Sequence, residues 1–539
     1  MMSNHVLKWL SAGRAVFAAG ALLLLLGGCL GMRQPAGLGV SWLPTCEAIP
    51  AAGLDPKVFA RTQCGIATVP LDHLNPMAGT LDLDITRVNA RLPHAREGAI
   101  FTNPGGPGSL GNGVFALVLA SAWKGFGEAS EVESFRHLVD AYDVIAITPR
   151  GQGGQASSQL VCQSDEMIVA QNDLSEDQTP ANFAALQHNV GVLARGCASQ
   201  RLAPYINTDQ TARDMEFVRK QLKEPKLHYF GNSYGTWLGA WYGGLFPNQV
   251  GRMVLDSNVD WTSSFQGASL NSAPEKERVF ERFVAQHAAA NATVYQMGED
   301  PSGVRQVFLG LLPEVRAALR SDTDFYSSAD YLLAARALSG WLQVWPGISD
   351  AELLALAGTY RFSPDTEVAQ AARRAFTDLL RATRSPAHWN GIPPGPLRLT
   401  PEESVRSTVL CSDSVASGEA FWTGKESLYA VRYPVGGSFF PARHCSAWAG
   451  TQLSGVPLSR LGRLESIVMV QAEYDDQTPK NGAVRAFDSL PNTHLIVLEG
   501  AYRHGVSFSE YDACVTPKVG EYLAYGRKPE RLSICNVAD

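Results

Sequence analysis

The pattern of apolar and polar positions changes character along the chain. Leu81 to Thr86 alternates as a half-buried strand does, and Ala99 to Thr102 and Tyr142 to Ile147 are short apolar runs bounded by turn residues. Ala212 to Leu222 spaces Met215, Phe217, Val218 and Leu222 among charges, the pattern of a helix with one face on a sheet. Leu227 to Phe230 and Met253 to Asp256 read as strands on either side of Tyr234 to Leu245, a helical stretch of aromatic and small residues. Strands alternating with helices predict an α/β fold, with a mostly parallel sheet covered by helices.

After Trp261 the alternation stops. Val304 to Leu319, Ser327 to Trp341 and Thr366 to Ala382 carry helical spacing, and Val307, Phe308, Leu311 and Val315 make one wide apolar stripe. Strands resume only at Ser466 to Val470 and His494 to Leu498. The economical division is a first part of the α/β body at 45–261, a helix-rich insertion at 262–463 and a second part of the body at 464–539. An insertion of roughly 200 residues is tolerated where it leaves from a loop tip.

The beginning of the chain reads differently. Lys8 and Arg14 accompany the apolar run Ala15 to Leu26, which is shorter than the ~20 residues a membrane span takes and fits a secretory signal over 1–28. Leu26-Gly27-Gly28-Cys29 resembles the lipobox of bacterial lipoproteins, which implies a lipidated Cys29 followed by a Gly- and Pro-rich tether over 29–44. The expected location is the cell envelope or periplasm, with membrane association only through acyl chains on that Cys; release into the medium is the alternative.

Composition narrows the possibilities. With 539 residues, 45% hydrophobic and 18% charged, the chain has material for a large core and more than one unit. The net charge of -7 comes without clusters of Lys and Arg, so no nucleic-acid partner is expected. Of nine cysteines, setting Cys29 aside leaves Cys46, Cys64, Cys162, Cys197, Cys411, Cys445, Cys514 and Cys535. An even set in an exported chain suggests disulfides, the simplest pairing being between neighbours: 46–64, 162–197, 411–445 and 514–535. No C-x-x-C pair speaks for zinc, and neither a metal nor a cofactor is expected.

Gly231-Asn232-Ser233-Tyr234-Gly235 matches the nucleophile elbow G-x-S-x-G, with a strand before it and a helix after it. A serine hydroxyl needs a base to take its proton, and in this arrangement acid and base follow the serine in the chain. His504, in a post-strand loop beside Gly505, is the expected base; His444 and His494 are its rivals. Asp475, in Glu473-Tyr474-Asp475-Asp476-Gln477-Thr478-Pro479, is the expected acid, with Asp476 one residue away. Two backbone N–H groups should face the developing oxyanion. One belongs to Tyr234 and the other to the loop Asn103-Pro104-Gly105-Gly106-Pro107-Gly108, where Gly106 is preferred over Gly105. That loop lacks the Lys-Ser/Thr ending of a phosphate cradle.

These motifs, together with Pro149-Arg150-Gly151-Gln152-Gly153, His504-Gly505-Val506 and Val69-Pro70-Leu71-Asp72-His73, resemble the proline iminopeptidase and tripeptidyl aminopeptidase group. The likeness is to the secreted actinomycete enzymes and their mycobacterial cell-envelope relatives, and it runs from about Cys64 to Cys535. It implies an α/β-hydrolase fold with a helical cap, a triad of Ser233, Asp475 and His504, and cleavage at the free N-terminus of short peptides. The sequence departs from the group at Thr148, where many relatives carry Asp, and at Tyr502-Arg503, where a Gly commonly precedes the His. Recognition of a free amine needs an anion, for which the insertion offers Glu275, Glu277, Glu402 and Glu403. Three functions compete: an exopeptidase, an esterase or lipase-like hydrolase using the same triad, and a binding protein on an inactive hydrolase scaffold. Phe421, Trp422, Phe439 and Phe440 are candidates to line a substrate pocket.

Overall fold

The computed structural model describes residues 37–46, 49, 54–109, 112–129, 132–322, 324–384 and 391–537. The expected signal segment and Cys29 lie outside these residues. Among the described residues, ten strands form one sheet in the order β1-β2-β3-β5-β4-β7-β8-β10-β11-β12. In chain order β1 is Gly39–Trp42, β2 Thr62–Pro70, β3 Thr80–Val88, β4 Gly98–Asn103 and β5 Tyr142–Ile147. After β6 (Gln163–Ile168) come β7 (Leu227–Asn232), β8 (Val250–Asp256) and β9 (Gly395–Arg398). The last three are β10 (Ile467–Tyr474), β11 (Thr493–Tyr502) and β12 (Leu532–Asn536). From β5 through β12 every neighbour in the sheet is parallel, while β1, β2 and β3 are antiparallel additions at one edge.

Alternation along the strands divides the body into two cores, one on each face of the sheet. Phe101, Ile145 and Met469 point into one, and their chain neighbours Ile100, Val144 and Val468 into the other. This is an α/β-hydrolase fold with a large helical cap inserted between sheet strands. The turn after β5 is anchored by Arg150, whose fully buried guanidinium donates to both oxygens of Asp214 at 2.6 and 2.8 Å. The same side chain donates to the carbonyls of Pro70 and Leu71, while His73 meets Asp214 at 2.7 Å. Two motifs far apart in sequence thereby converge on one buried carboxylate.

Four disulfides join Cys46–Cys64, Cys162–Cys197, Cys411–Cys445 and Cys514–Cys535, the neighbour pairing. Several local expectations need correction. The tether does not extend to residue 44, because Gly39–Trp42 pairs antiparallel with β2 and Arg87 stacks on Trp42. The helix expected over Val304 to Leu319 is two helices, Pro301–Leu309 and Pro313–Ser321. Gly310 and Pro313 interrupt it, since proline lacks the N–H that would continue the ladder. The C-terminal tail adds β12, a parallel strand beside β11 that Cys514–Cys535 ties down. The segment after β5 also reaches the insertion, as β6 pairs with β9 in a separate two-stranded sheet. No helix among the described residues is long and apolar enough to cross a membrane.

Candidate active site

Every expected catalytic group lies beyond the carboxyl end of a parallel strand, where ligands bind in open α/β sheets. Ser233 follows β7, Asp475 follows β10, His504 follows β11 and the glycine loop follows β4. Ser233 has φ 56° and ψ -125°, a strained conformation for a residue with a side chain. The flanking glycines permit it by close approach: a Cβ on Gly231 would lie 2.4 Å from the carbonyl of Gly235, and one on Gly235 2.6 Å from that of Asn103. Gly105 has φ +107°, and a Cβ there would stand 2.7 Å from Cβ of Ser233, so the glycine loop presses against the elbow.

The loop's N–H groups are unequal. Asn103 Oδ1 accepts the N–H of Gly105 at 2.9 Å, which leaves Gly106 as the loop's better donor to a bound oxygen. Tyr234 is the first residue of the helix Tyr234–Leu245, where the backbone N–H has no intrahelical acceptor.

Asp475 is completely buried and both its oxygens stand 3.0 Å from His504 Nδ1. The N–H groups of Gln477 and Thr478 and the Thr478 hydroxyl also donate to it. Burial works to raise its pKa, but the His504 charge and these hydrogen bonds outweigh it and hold the carboxyl below its ordinary value. For His504 burial works to lower the pKa, and the Asp475 carboxylate reverses it, leaving the imidazole above the ordinary histidine value. With Nδ1–H given to Asp475, Nε2 carries the lone pair that can accept a proton.

The rivals are occupied elsewhere. Asp476 is turned toward Lys276 and the Tyr502 hydroxyl, and burial raises its pKa. His444 is buried against the carbonyl of Ser407, and burial pushes its pKa down to about 4. Together with Cys411 and Cys445 it forms a cluster of metal-ligand type, but both sulfurs are spent in a disulfide. His494 lies within β11.

The sequence did not mark Asp256 and Ser257, which tie base loop and elbow together. The carbonyl of Asp256 accepts the N–H of Ser233 at 3.0 Å. Its fully buried carboxylate accepts from Val506 N–H at 3.0 Å and from Ser507 N–H and hydroxyl at 2.7 Å. Ser257 Oγ takes the N–H of Gly505 at 2.8 Å. Their place at the carboxyl end of a central strand was the available signal. The departure at Tyr502-Arg503 also has a use: Tyr502 packs on Phe283 of the insertion, and Arg503 pairs with Glu510 at 2.6 Å.

The four candidate amine-binding carboxylates differ. Glu275 is buried beside Arg278 at 2.8 Å. Glu277 pairs with Arg305 at 2.6 Å and accepts the N–H of Val435 at 2.7 Å. Glu403 closes the capping box of the helix Pro401–Ser412 with Thr400. The side chain of Glu402, half-buried in the same first turn, has no hydrogen bond or ion pair among the described residues. Its carbonyl lies 2.5 Å from where a Cβ on Gly108 would be, placing it beside the glycine loop. Of the four aromatics, Trp422 and Phe440 are buried in the main core, while Phe421 and Phe439 are exposed.

Residues 99–295, which carry β4, the glycine loop and the elbow, match the alpha/beta hydrolase fold family, and the chain is a hydrolase of the α/β-hydrolase superfamily. Residues 433–535, which carry Asp475, His504 and the last disulfide, match the family described as TAP-like protein. Among individual proteins, the chain is 26% identical over 517 residues to a tripeptidyl aminopeptidase of Streptomyces lividans, covering 94% of this chain and 89% of that protein. It is 24% identical over 554 residues to the serine protease Hip1 of Mycobacterium tuberculosis, covering 99% and 98%. Carboxylesterase B of Mycobacterium tuberculosis is 28% identical over 242 residues, 44% of each chain.

Proposed function

We propose that the protein is an exported serine aminopeptidase that releases one to three residues from the free N-terminus of short peptides. The observation that carries the chemistry is the 3.0 Å pairing of His504 with the fully buried Asp475, at the carboxyl ends of the same parallel strands that hold the strained Ser233. End-to-end similarity to tripeptidyl aminopeptidases supports the peptide substrate.

In this reading Ser233 Oγ attacks the scissile carbonyl as Nε2 of His504 takes its proton. Asp475 holds the tautomer and stabilises the imidazolium. The tetrahedral oxyanion sits between the N–H groups of Gly106 and Tyr234, at the positive end of a helix. His504 then protonates the leaving amine, and the acyl-enzyme is released by a water that His504 deprotonates. The insertion acts as a lid that admits short peptides and excludes water on closure. Glu402, whose side chain has no partner among the described residues and whose backbone lies beside the glycine loop, is the one of the four free to meet a substrate ammonium.

The location belongs to the same proposal. Signal cleavage and acylation at Cys29 would put the chain in the cell envelope, where four disulfides persist. The similarity to a carboxylesterase favours one second reading, ester hydrolysis by the same groups. Comparing free-amine peptide amides, their N-acetylated forms and p-nitrophenyl esters separates the two. Preferential turnover of free-amine peptides supports the aminopeptidase; equal turnover of blocked peptides sinks it, and turnover of esters alone selects the second reading.

A further inference from the structure

A buried carboxylate of the insertion reaches the elbow through two side chains. Asp413 follows the helix Pro401–Ser412, which carries Cys411, and is completely buried. Thr208, at the start of the helix Thr208–Gln221, donates its N–H to Oδ1 at 2.9 Å and its hydroxyl to Oδ2. Trp237 donates its indole N–H to Oδ2 at 3.0 Å. On its other side, the Thr208 hydroxyl meets the Tyr234 hydroxyl at 2.6 Å. Tyr234 is buried, and its ring lies 5.8 Å from that of Phe265, which stacks on Trp237.

No Lys or Arg pairs with Asp413 among the described residues. Its charge is met by hydrogen-bond donors and the N-terminal end of a helix. Burial pushes its pKa up to about 7, against the pull of the Thr208 and Trp237 hydrogen bonds. A buried carboxylate without a cation is costly, and apolar packing would hold two helices together at less expense. What apolar packing would not do is fix the direction of a hydrogen-bonded chain. With Asp413 ionised, Thr208 O–H points to Asp413 and Tyr234 O–H points to Thr208.

We propose that Asp413 is a positioning residue for the oxyanion site, acting through Thr208 on Tyr234. Tyr234 bears the N–H next to the nucleophile, so holding its phenol fixes the first turn of the elbow helix. The insertion thereby contributes to the chemical step as well as covering it. The inference rests on Ser233 as nucleophile and not on the identity of the substrate.

The test is the rate of Ser233 phosphonylation by a fluorophosphonate at pH 8, above the raised Asp413 value, followed by kcat and KM on the best substrate. Asp413→Asn keeps the shape but has one acceptor and one amide donor. The N–H groups of Thr208 and Trp237 can only donate, so one of them is left facing an amide N–H. Asp413→Asn, Thr208→Ala and Tyr234→Phe should each lower the labelling rate and kcat about tenfold, with KM changed less than about twofold. Thr208→Ser should behave as wild type. Double variants should lose little beyond the single ones, as expected for members of one chain.

Wild-type labelling rates in Thr208→Ala and Tyr234→Phe would overturn the inference, even if Asp413→Asn failed to fold. A fall in melting temperature with unchanged kcat would reduce Asp413 to a structural pin. If wild type is not labelled at Ser233 at all, the nucleophile reading has failed instead.

Discussion

Residues 279–380 and residues 392–461 belong to one insertion between β8 and β10, yet they are buried in different ways. The first stretch has its own core, in which Phe280, Phe308, Phe325, Leu333 and Phe376 pack together, with Val435 the one residue of the second stretch that joins it. It meets the rest of the molecule through border contacts. Phe283 lies 5.2 Å from Tyr474 and 5.6 Å from Tyr502 between ring centres, and Arg316 and Arg320 pair with Glu176 and Asp173. Apart from Val435, the buried apolar residues of the second stretch form no separate core among the described residues. Leu397, Val405, Val409, Trp422, Phe440 and Leu461 belong to the same buried cluster as Phe101 and Ile145 of the sheet. Its β9 pairs with β6 from the other side of the elbow in sequence, and Asp413 reaches Thr208. The first stretch is an added unit, and the second is continuous with the hydrolase body. An element with its own core can yield without unfolding its neighbour, whereas a shared core makes the two cooperative.

The largest expected effect comes from the body. Ser233→Ala should cut hydrolysis by about 10⁴-fold or more while leaving the thermal melt unchanged. Residual activity close to wild type would move the chemistry elsewhere and remove the basis for comparing the two stretches around it.

Asp475→Asn should follow, with kcat lower by about 10³- to 10⁴-fold. His504 must be neutral to act as base, and its pKa is raised above the ordinary value by Asp475. Activity of the wild type should therefore fall as pH drops through that raised value. In Asp475→Asn the acid limb of kcat/KM should move to lower pH, because the largest charge favouring the imidazolium is gone. An unmoved limb would detach His504 from it.

Two stability measurements test the comparison directly. Phe308→Ala, in the separate core, should cost about 3–5 kcal/mol and lower one calorimetric transition, leaving fluorophosphonate labelling of Ser233 within about twofold. Replacing Cys411 and Cys445 together by Ser removes a cross-link inside the shared core and should cost about 2–4 kcal/mol, lowering the main transition and labelling together. If both variants lower one common transition, the two stretches are a single cooperative unit.

The smallest expected effect is on recognition. Glu402→Gln should raise KM for free-amine peptides about tenfold and leave N-acetylated peptides and esters unchanged. A uniform change across all three substrates would remove Glu402 from amine binding.

Much of the body was legible in advance because its signals are local. Tyr142–Ile147 and Tyr234–Leu245 fall where their apolar spacing placed them, since periodicity depends on residues a few positions apart. Helix ends were less legible where proline or glycine intervened, as at Gly310 to Pro313. The elbow could be read from Gly231 and Gly235 because a steric requirement leaves few residue types. The preference for Asp475 over Asp476 rested on motif position, and the geometry pairs His504 with Asp475. The ties from Asp256 and Ser257 to the base loop could not be read, because a strand-end Asp looks alike whether it caps a turn or holds a distant loop.

By itself the sequence determined the alternation of strands and helices from Leu81 to Asp256 and the tight turn at Ser233, each through residues close in the chain, whereas the pairing of the cysteines is decided by the fold. The tertiary structure alone decided that the insertion divides into a self-contained part and a shared one. It also decided that β12 completes the sheet and that Asp413 meets Thr208, 205 residues away. Burial of a carboxylate depends on which donors close around it. Those donors are brought together by packing of distant segments, which no local spacing records.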